Sequence, residues 1–222
     1  MLVIGFGISI DMPRAEYKTI DKALPNLKVG DIFLIHTKGF WVSKLVRKTT
    51  KSYWSHVALV FEVIHNKTDY PDVLLIEALD RGIEIHRVEH YLRHPKEYDV
   101  GIKRIPILTD TERDRFRGFF LDAVDTPYDF SRLFSYFLKN FVQKIFGQAI
   151  TNWITKKVIN IDQYICTTFA QRAFYLAVPR EKRDKVLMRD GEGFNFLLQM
   201  EEITPRDYAI SKNSEWLYNP HK

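Results

Sequence analysis

Hydrophobic residues follow two different rhythms along this chain. From Val29 to Ile105 they fall into short, β-branched runs: "VGDIFLIHT" (29–37), "SHVALVFEVI" (55–64), "DVLLIEAL" (72–79), "GIEIHRV" (82–88) and "YDVGIKRI" (98–105). Runs of this length, bounded by turn residues, predict strands, and the nearly unbroken apolar stretch at 55–64 predicts a central one. "GFWVSKLVRKTT" (39–50) interrupts the series with apolar positions 41, 42, 45 and 46, which is helical spacing. After residue 108 the period changes. "TDTERDRFRGFFLDAV" (109–124) opens on a Thr109-x-x-Glu112 capping box and carries apolar residues at 116, 119, 120, 123 and 124, so it predicts an amphipathic helix ended by Asp125-Thr126-Pro127. A second helix, with Asp162 as N-cap, carries Cys166, Phe169, Ala170, Ala173, Phe174 and Ala177 on one stripe. Strands first and helices after them, without regular alternation, predict an α+β fold in which an antiparallel sheet packs against helices. No repeat, low-complexity tract or Gly/Ser linker interrupts residues 1–222, and a single domain is expected.

Composition narrows the picture. The 16 Phe, 11 Tyr and 4 Trp suggest a large core, an apolar groove, or both. A net charge of +5, with the basic residues scattered, is compatible with an anionic surface but is not a nucleic-acid footprint. One cysteine excludes an intramolecular disulfide framework and any multi-cysteine metal site. The apolar run Leu2–Ile10 lacks a basic flank and a small-residue cleavage site, and it is too short to cross a bilayer; it is expected to be a buried strand or docking segment. A cytoplasmic protein, or one peripheral to a membrane, is expected.

Chemistry enters through three residues. Cys166 faces inward near the start of its helix, either as a small apolar filler or as a nucleophile whose thiolate the helix N-terminus steadies. His56 opens a strand that is otherwise nearly all apolar, so it must be satisfied by a partner or used. His65, His94 and His221 lie in turns or the tail, His86 and His90 flank a strand end with too few neighbours for a metal, and His36, ending the first strand, stays open. Glu77, inside "LLIEAL", needs a partner because a buried unpaired carboxylate is costly; an Arg or Lys would serve. A hairpin turning at Asn66-Lys67 would instead place His56 directly opposite Glu77 on one face, although Pro71 lies inside it. Cys, His and carboxylate are the parts of a nucleophile–base–orienter site.

Several short motifs occur in a characteristic order: "GDIFLI" (30–35), "SHVALV" (55–60), "LLIEAL" (74–79), "TPYDF" (126–130), "DQYIC" (162–166) and "ITPRDYAIS" (203–211). Together they resemble the circularly permuted NlpC-like branch of papain-fold hydrolases, particularly YiiX-like proteins, with lecithin:retinol acyltransferase relatives as distant cousins. The order His, acid, Cys is the one the permutation requires. Thr167-Thr168 departs from the Ser-Glu that often follows the family's cysteine.

The resemblance implies a thiol-dependent hydrolase (amidase, peptidase or lipid-amide/ester hydrolase) working through an acyl-enzyme, with Cys166 as nucleophile, His56 as base and Glu77 as its orienter. It also implies that the Cys166 backbone N–H is an oxyanion donor, that Tyr128 or Tyr164 lines the substrate pocket, and that no metal or organic cofactor is needed. The alternatives are an acyltransferase or a catalytically inactive ligand- or lipid-binding module. The substrate class is a small-molecule, peptide or lipid-like acyl compound. The aromatic, lysine-interleaved stretch 131–161 is expected to be a helical insert or lid, and it tilts the choice toward a lipid-linked or N-acyl substrate and a peripheral membrane contact.

Overall fold

The computed structural model describes residues 15–39, 41–64, 72–79, 82–125, 162–189 and 203–221. All five β-rich runs form strands: β1 (Ile32–Thr37), β2 (His56–Ile64), β3 (Asp72–Leu79), β4 (Gly82–Arg87) and β5 (Tyr98–Arg104). A sixth, β6 (Glu215–Tyr218), pairs with β5 and had no distinct signal in the sequence. The sheet is antiparallel in the order β4-β3-β2-β1-β5-β6, so the run at 55–64 is interior as its apolar composition demands. The helices are α1 (Ile20–Ala23), α2 (Trp41–Thr50), α3 (Glu89–Leu92), α4 (Asp110–Asp125), α5 (Asp162–Ala177) and α6 (Pro205–Ile210). The N-terminal run, the 66–67 turn with Pro71, "TPYDF" with its Tyr128, and the 131–161 insert lie outside the described residues.

Two apolar layers sandwich the sheet. On one face Leu34, Val57, Leu59, Ile76 and Ala78 meet Phe116 and Phe120 of α4 and the whole predicted stripe of α5, Cys166 through Ala177. On the other, Phe33, Ile35, Ala58, Val60, Val73 and Leu75 meet Leu24, Leu27 and Tyr91. Alternation along each strand separates the two sets. Capping fixes the helix starts. Thr109 N donates to Glu112 Oε2 at 2.8 Å while Glu112 N donates to Thr109 Oγ1 at 3.3 Å, and Thr204 and Asp207 repeat the box around Pro205 at the first turn of α6.

The Gly30-Asp31 pair launches β1 for two physical reasons. Gly30 sits at φ 82°, where a side chain is strained, although a Cβ there would find its nearest neighbours at an unstrained 3.7–3.8 Å. Asp31 is fully buried and accepts from the Lys28 N–H at 2.8 Å and from Arg104 Nε and Nη2 at 2.8 and 2.5 Å, tying the strand's start to β5. Further along β5, Gly101 leaves room for the rings of Trp54 and Trp216, which a Cβ would meet at 2.7 and 2.9 Å. Lys103, also buried, donates from Nζ to the carbonyls of Tyr208, Ala209 and Ser211 at 3.0 Å each, closing the C-terminal end of α6.

Removing one partner of a buried charge pair leaves the other uncompensated. Asp31→Ala should therefore cost about 3 kcal/mol of stability, read as a lowered urea midpoint with an unchanged circular dichroism spectrum. A midpoint equal to wild type would refute the anchoring role.

Candidate active site

Strand alternation sets a problem for the three candidate residues. Ala58 and Val60 belong to the α3 face, and His56, two residues earlier, starts on that side; Cys166 belongs to the α5 face. Yet the His56 ring contacts Glu77 through Nε2 and interacts with Cys166 as well. The sheet accommodates this by parting. β2 and β3 pair from Leu59↔Ile76 to Ile64↔Asp72, whereas His56, Val57 and Ala58 pair with β1, and Glu77, Ala78 and Leu79 pair with β4. Helix α5 packs on both β2 and β3. The imidazole thus lies between the thiol on one side and the carboxylate on the other.

The expected register needs correction. Leu59↔Ile76 projects His56 opposite Leu79, two residues from the alignment the sequence suggested, and a bulge between Val60 and Glu62 shifts the pairs beyond it. A two-residue offset keeps every side chain on its face, so His56 and Glu77 still meet, diagonally.

All three groups are buried: Cys166 and Glu77 are 1 % exposed and His56 is 6 % exposed. His56 Nε2 contacts Glu77 Oε2. Burial alone would drive the proton off His56. The charge on Cys166 and then that of Glu77, each also hydrogen-bonded to the ring, outweigh burial and hold the imidazole proton affinity well above its ordinary range. Burial would likewise raise the Glu77 carboxyl, but His56 and then His86 hold it well below the ordinary carboxylate range.

Two side chains around Glu77 were not singled out as site residues from the sequence. Tyr91 OH donates to Oε1 at 2.9 Å and to Oε2 at 2.7 Å. His86 Nε2 comes within 2.5 Å of Oε1 without a well-aligned hydrogen bond, so the contact is a close electrostatic one. His86 had a signal: it stands opposite Leu75 on β4, hence diagonal to Glu77 and on the same face. Tyr91 had none, because only tertiary packing brings α3 over the carboxylate. A cavity of about 790 Å³ opens here, with His56, His86, Tyr91 and Tyr98 in its wall. Among the described residues, no group of three or more His, Cys, Asp or Glu is placed to hold a metal ion, and no helix is long and apolar enough to cross a membrane.

With α5 starting at Asp162, Cys166 is in the second turn, and the helical ladder commits its N–H to the Asp162 carbonyl. That N–H is therefore not an open oxyanion donor, and the field of the helix end, which fades within a turn, contributes little at the sulfur. Tyr164 lies in the first turn of α5, but its side chain, like all of Tyr128, lies outside the described residues. At the Thr167-Thr168 departure, Thr167 Oγ1 donates to the Ile203 carbonyl at 2.9 Å and Tyr208 OH donates to the Thr167 carbonyl at 2.8 Å, locking the cysteine helix to α6.

A family model described as permuted papain-like amidase enzyme, YaeF/YiiX, C92 family, matches residues 26–190. Comparison with curated proteins finds no match.

The depressed Glu77 carboxyl carries stabilisation that is complete above its ordinary value of about 4.3 and is lost as pH falls through the folded-state value. The raised His56 carries stabilisation that is complete below about 6.5 and is lost as pH rises through its folded-state value. The difference in urea unfolding free energy between wild type and Glu77→Gln should accordingly shrink between about pH 7 and about pH 3. A difference that stays constant over that range would contradict the assigned shift.

Proposed function

The chain belongs to the permuted papain-like amidase family, and on that footing we propose that Cys166, His56 and Glu77 act as the nucleophile, the base and the orienting carboxylate of a thiol-dependent hydrolase. One observation carries the reading: His56 Nε2 contacts a buried carboxylate, and the same ring interacts with Cys166 strongly enough for the two partners to hold its proton against burial.

The chemistry runs in two halves. The Cys166 thiolate, paired with the His56 imidazolium, attacks the carbonyl carbon of an amide or ester. As the tetrahedral intermediate collapses, His56 passes its proton to the leaving nitrogen or oxygen and a thioester remains on Cys166. Water then gives a proton to His56 and adds to the thioester. Expulsion of the thiolate releases the carboxylic acid and restores the ion pair. Glu77 holds the imidazole in one tautomer and balances its charge throughout. The charge that steadies the thiolate is that of the imidazolium rather than the helix end.

For the substrate, we favour a lipid-linked or N-acyl compound over a cell-wall peptide. This rests on the aromatic, lysine-interleaved stretch 131–161 and the basic balance of the chain.

Incubating the purified protein with a panel of acyl amides, lipid esters and muropeptides, followed by intact-protein mass spectrometry, tests both proposals. An acyl adduct on Cys166 is expected, and its mass identifies the acyl group. Cys166→Ala should lose the adduct and lower kcat by about 10⁴-fold or more, and His56→Ala should slow alkylation of Cys166 near neutral pH. Transfer of the acyl group to an added amine in preference to water would mark an acyltransferase. No adduct with any class, together with alkylation of Cys166 following the pH profile of an ordinary thiol, would leave a ligand-binding module in place of an enzyme.

A further inference from the structure

Glu77 has more partners than orienting one imidazole requires. An ionised carboxylate offers about four lone-pair directions. His56 Nε2 takes one at Oε2, Tyr91 OH bridges both oxygens at 2.9 and 2.7 Å, and His86 Nε2 lies 2.5 Å from Oε1. These partners come from three separate elements, β2, α3 and β4. Tyr91 is itself held in place, its ring meeting Tyr98 of β5 edge-on at 5.0 Å.

The surroundings explain why so many partners are needed. Burial discourages ionisation of Glu77. Glu84 of β4 stands directly opposite it in the sheet. The cavity that carries His56, His86 and Glu84 in its wall gives protons from solvent a path to the cluster. From α5, the charge on Cys166 is also negative when the pair with His56 forms. Left with His56 alone, the carboxylate would be the place where an incoming proton comes to rest, and a protonated Glu77 cannot hold an imidazolium.

We propose that Tyr91 and His86 are positioning residues that clamp the Glu77 carboxylate, keeping it ionised and aimed at His56 while the adjoining cavity is open to solvent. The proposal rests on the reading of Glu77 as the orienting acid. Tyr91 acts as a permanent donor, since burial and then the neighbouring carboxylate keep its phenol from ionising. His86, partly exposed on the cavity side, presents its nitrogen to the oxygen that His56 does not use.

The test follows the Glu77 carboxyl directly, by carbon NMR of protein labelled at the glutamate side-chain carboxyl, alongside the pH dependence of kcat and KM. Tyr91→Phe removes one hydroxyl and keeps the ring; His86→Phe removes the nitrogen; His86→Gln keeps a nitrogen donor at the same reach. In Tyr91→Phe and in His86→Phe the proton affinity of Glu77 should rise about tenfold. The acid limb of kcat should move up by about one pH unit with KM unchanged, and His86→Gln should stay close to wild type. Titration of Glu77 at the wild-type position in both Phe variants would overturn the proposal, even if activity fell, because the loss would then be structural. His86→Gln titrating like His86→Phe would overturn the part assigned to the His86 nitrogen. Failure of the catalytic reading looks different: Glu77 would respond to the Phe variants while Cys166 formed no acyl adduct.

Discussion

A carboxylate that is 1 % exposed stays ionised only if the groups around it replace the water it has lost. Around Glu77 those groups are rings: the His56 imidazole, the Tyr91 phenol and the His86 imidazole. Much of the local architecture can be understood as delivering them. Helix α3, only four residues long, lies where its tyrosine reaches both oxygens, and β4 is registered so that His86 stands diagonal to the carboxylate. Burial works against a charged His56, and its interactions with Cys166 and Glu77 outweigh it and hold the imidazole proton affinity above its ordinary range. A charge that would cost several kcal/mol if unpaired thereby fixes the orientation of the imidazole.

The parting of β2 and β3 makes this arrangement usable from both faces. In an unbroken ladder, an imidazole pointing to the α3 side would be screened by backbone from a sulfur on the α5 side. Where the two strands separate, the same ring touches both. Keeping the cysteine at this gap requires the helix to be fixed along its length. Its stripe of Phe169, Ala170, Ala173 and Phe174 is packed into the core, and Thr167 and Tyr208 tie it to α6. Lys103 of β5, its ammonium over the Trp216 ring, holds the C-terminal end of α6 to the sheet. The Thr-Pro-x-Asp motif at 204–207 is thus a helix start whose purpose in this chain is to anchor the cysteine helix.

Much of the fold and part of the site were legible beforehand. Strand existence followed from β-branched runs, and the α4 boundary from a capping box that formed as written. The inward stripe of α5 followed from helical periodicity, and every member of it is buried. Each of these is a local consequence of residue type and spacing. β6 was missed because four residues at the sheet's edge, with only Trp216 and Leu217 buried, give too short a pattern. The hairpin register was two residues off at Leu59↔Ile76 and three beyond Val60/Glu62, where a bulge adds one more, because pairing depends on how the strands twist together. The oxyanion role expected for the Cys166 N–H left out the i→i−4 ladder, which engages that N–H once Asp162 heads the helix.

By itself the sequence determined which side chains had to be accounted for. A histidine at the head of an apolar strand, a glutamate inside another and a lone cysteine on a helix stripe each demanded partners, whatever the fold turned out to be. It also determined five of the six described strands, helices α2, α4 and α5, and the chain order His, acid, Cys. Only the tertiary structure decided that these three meet across a gap in the sheet, and that Tyr91 and His86 complete the shell around Glu77. Periodicity assigns a residue to a face, but contact across strands and layers depends on register, twist and the packing of distant elements. These are collective properties of the folded chain rather than of any one segment.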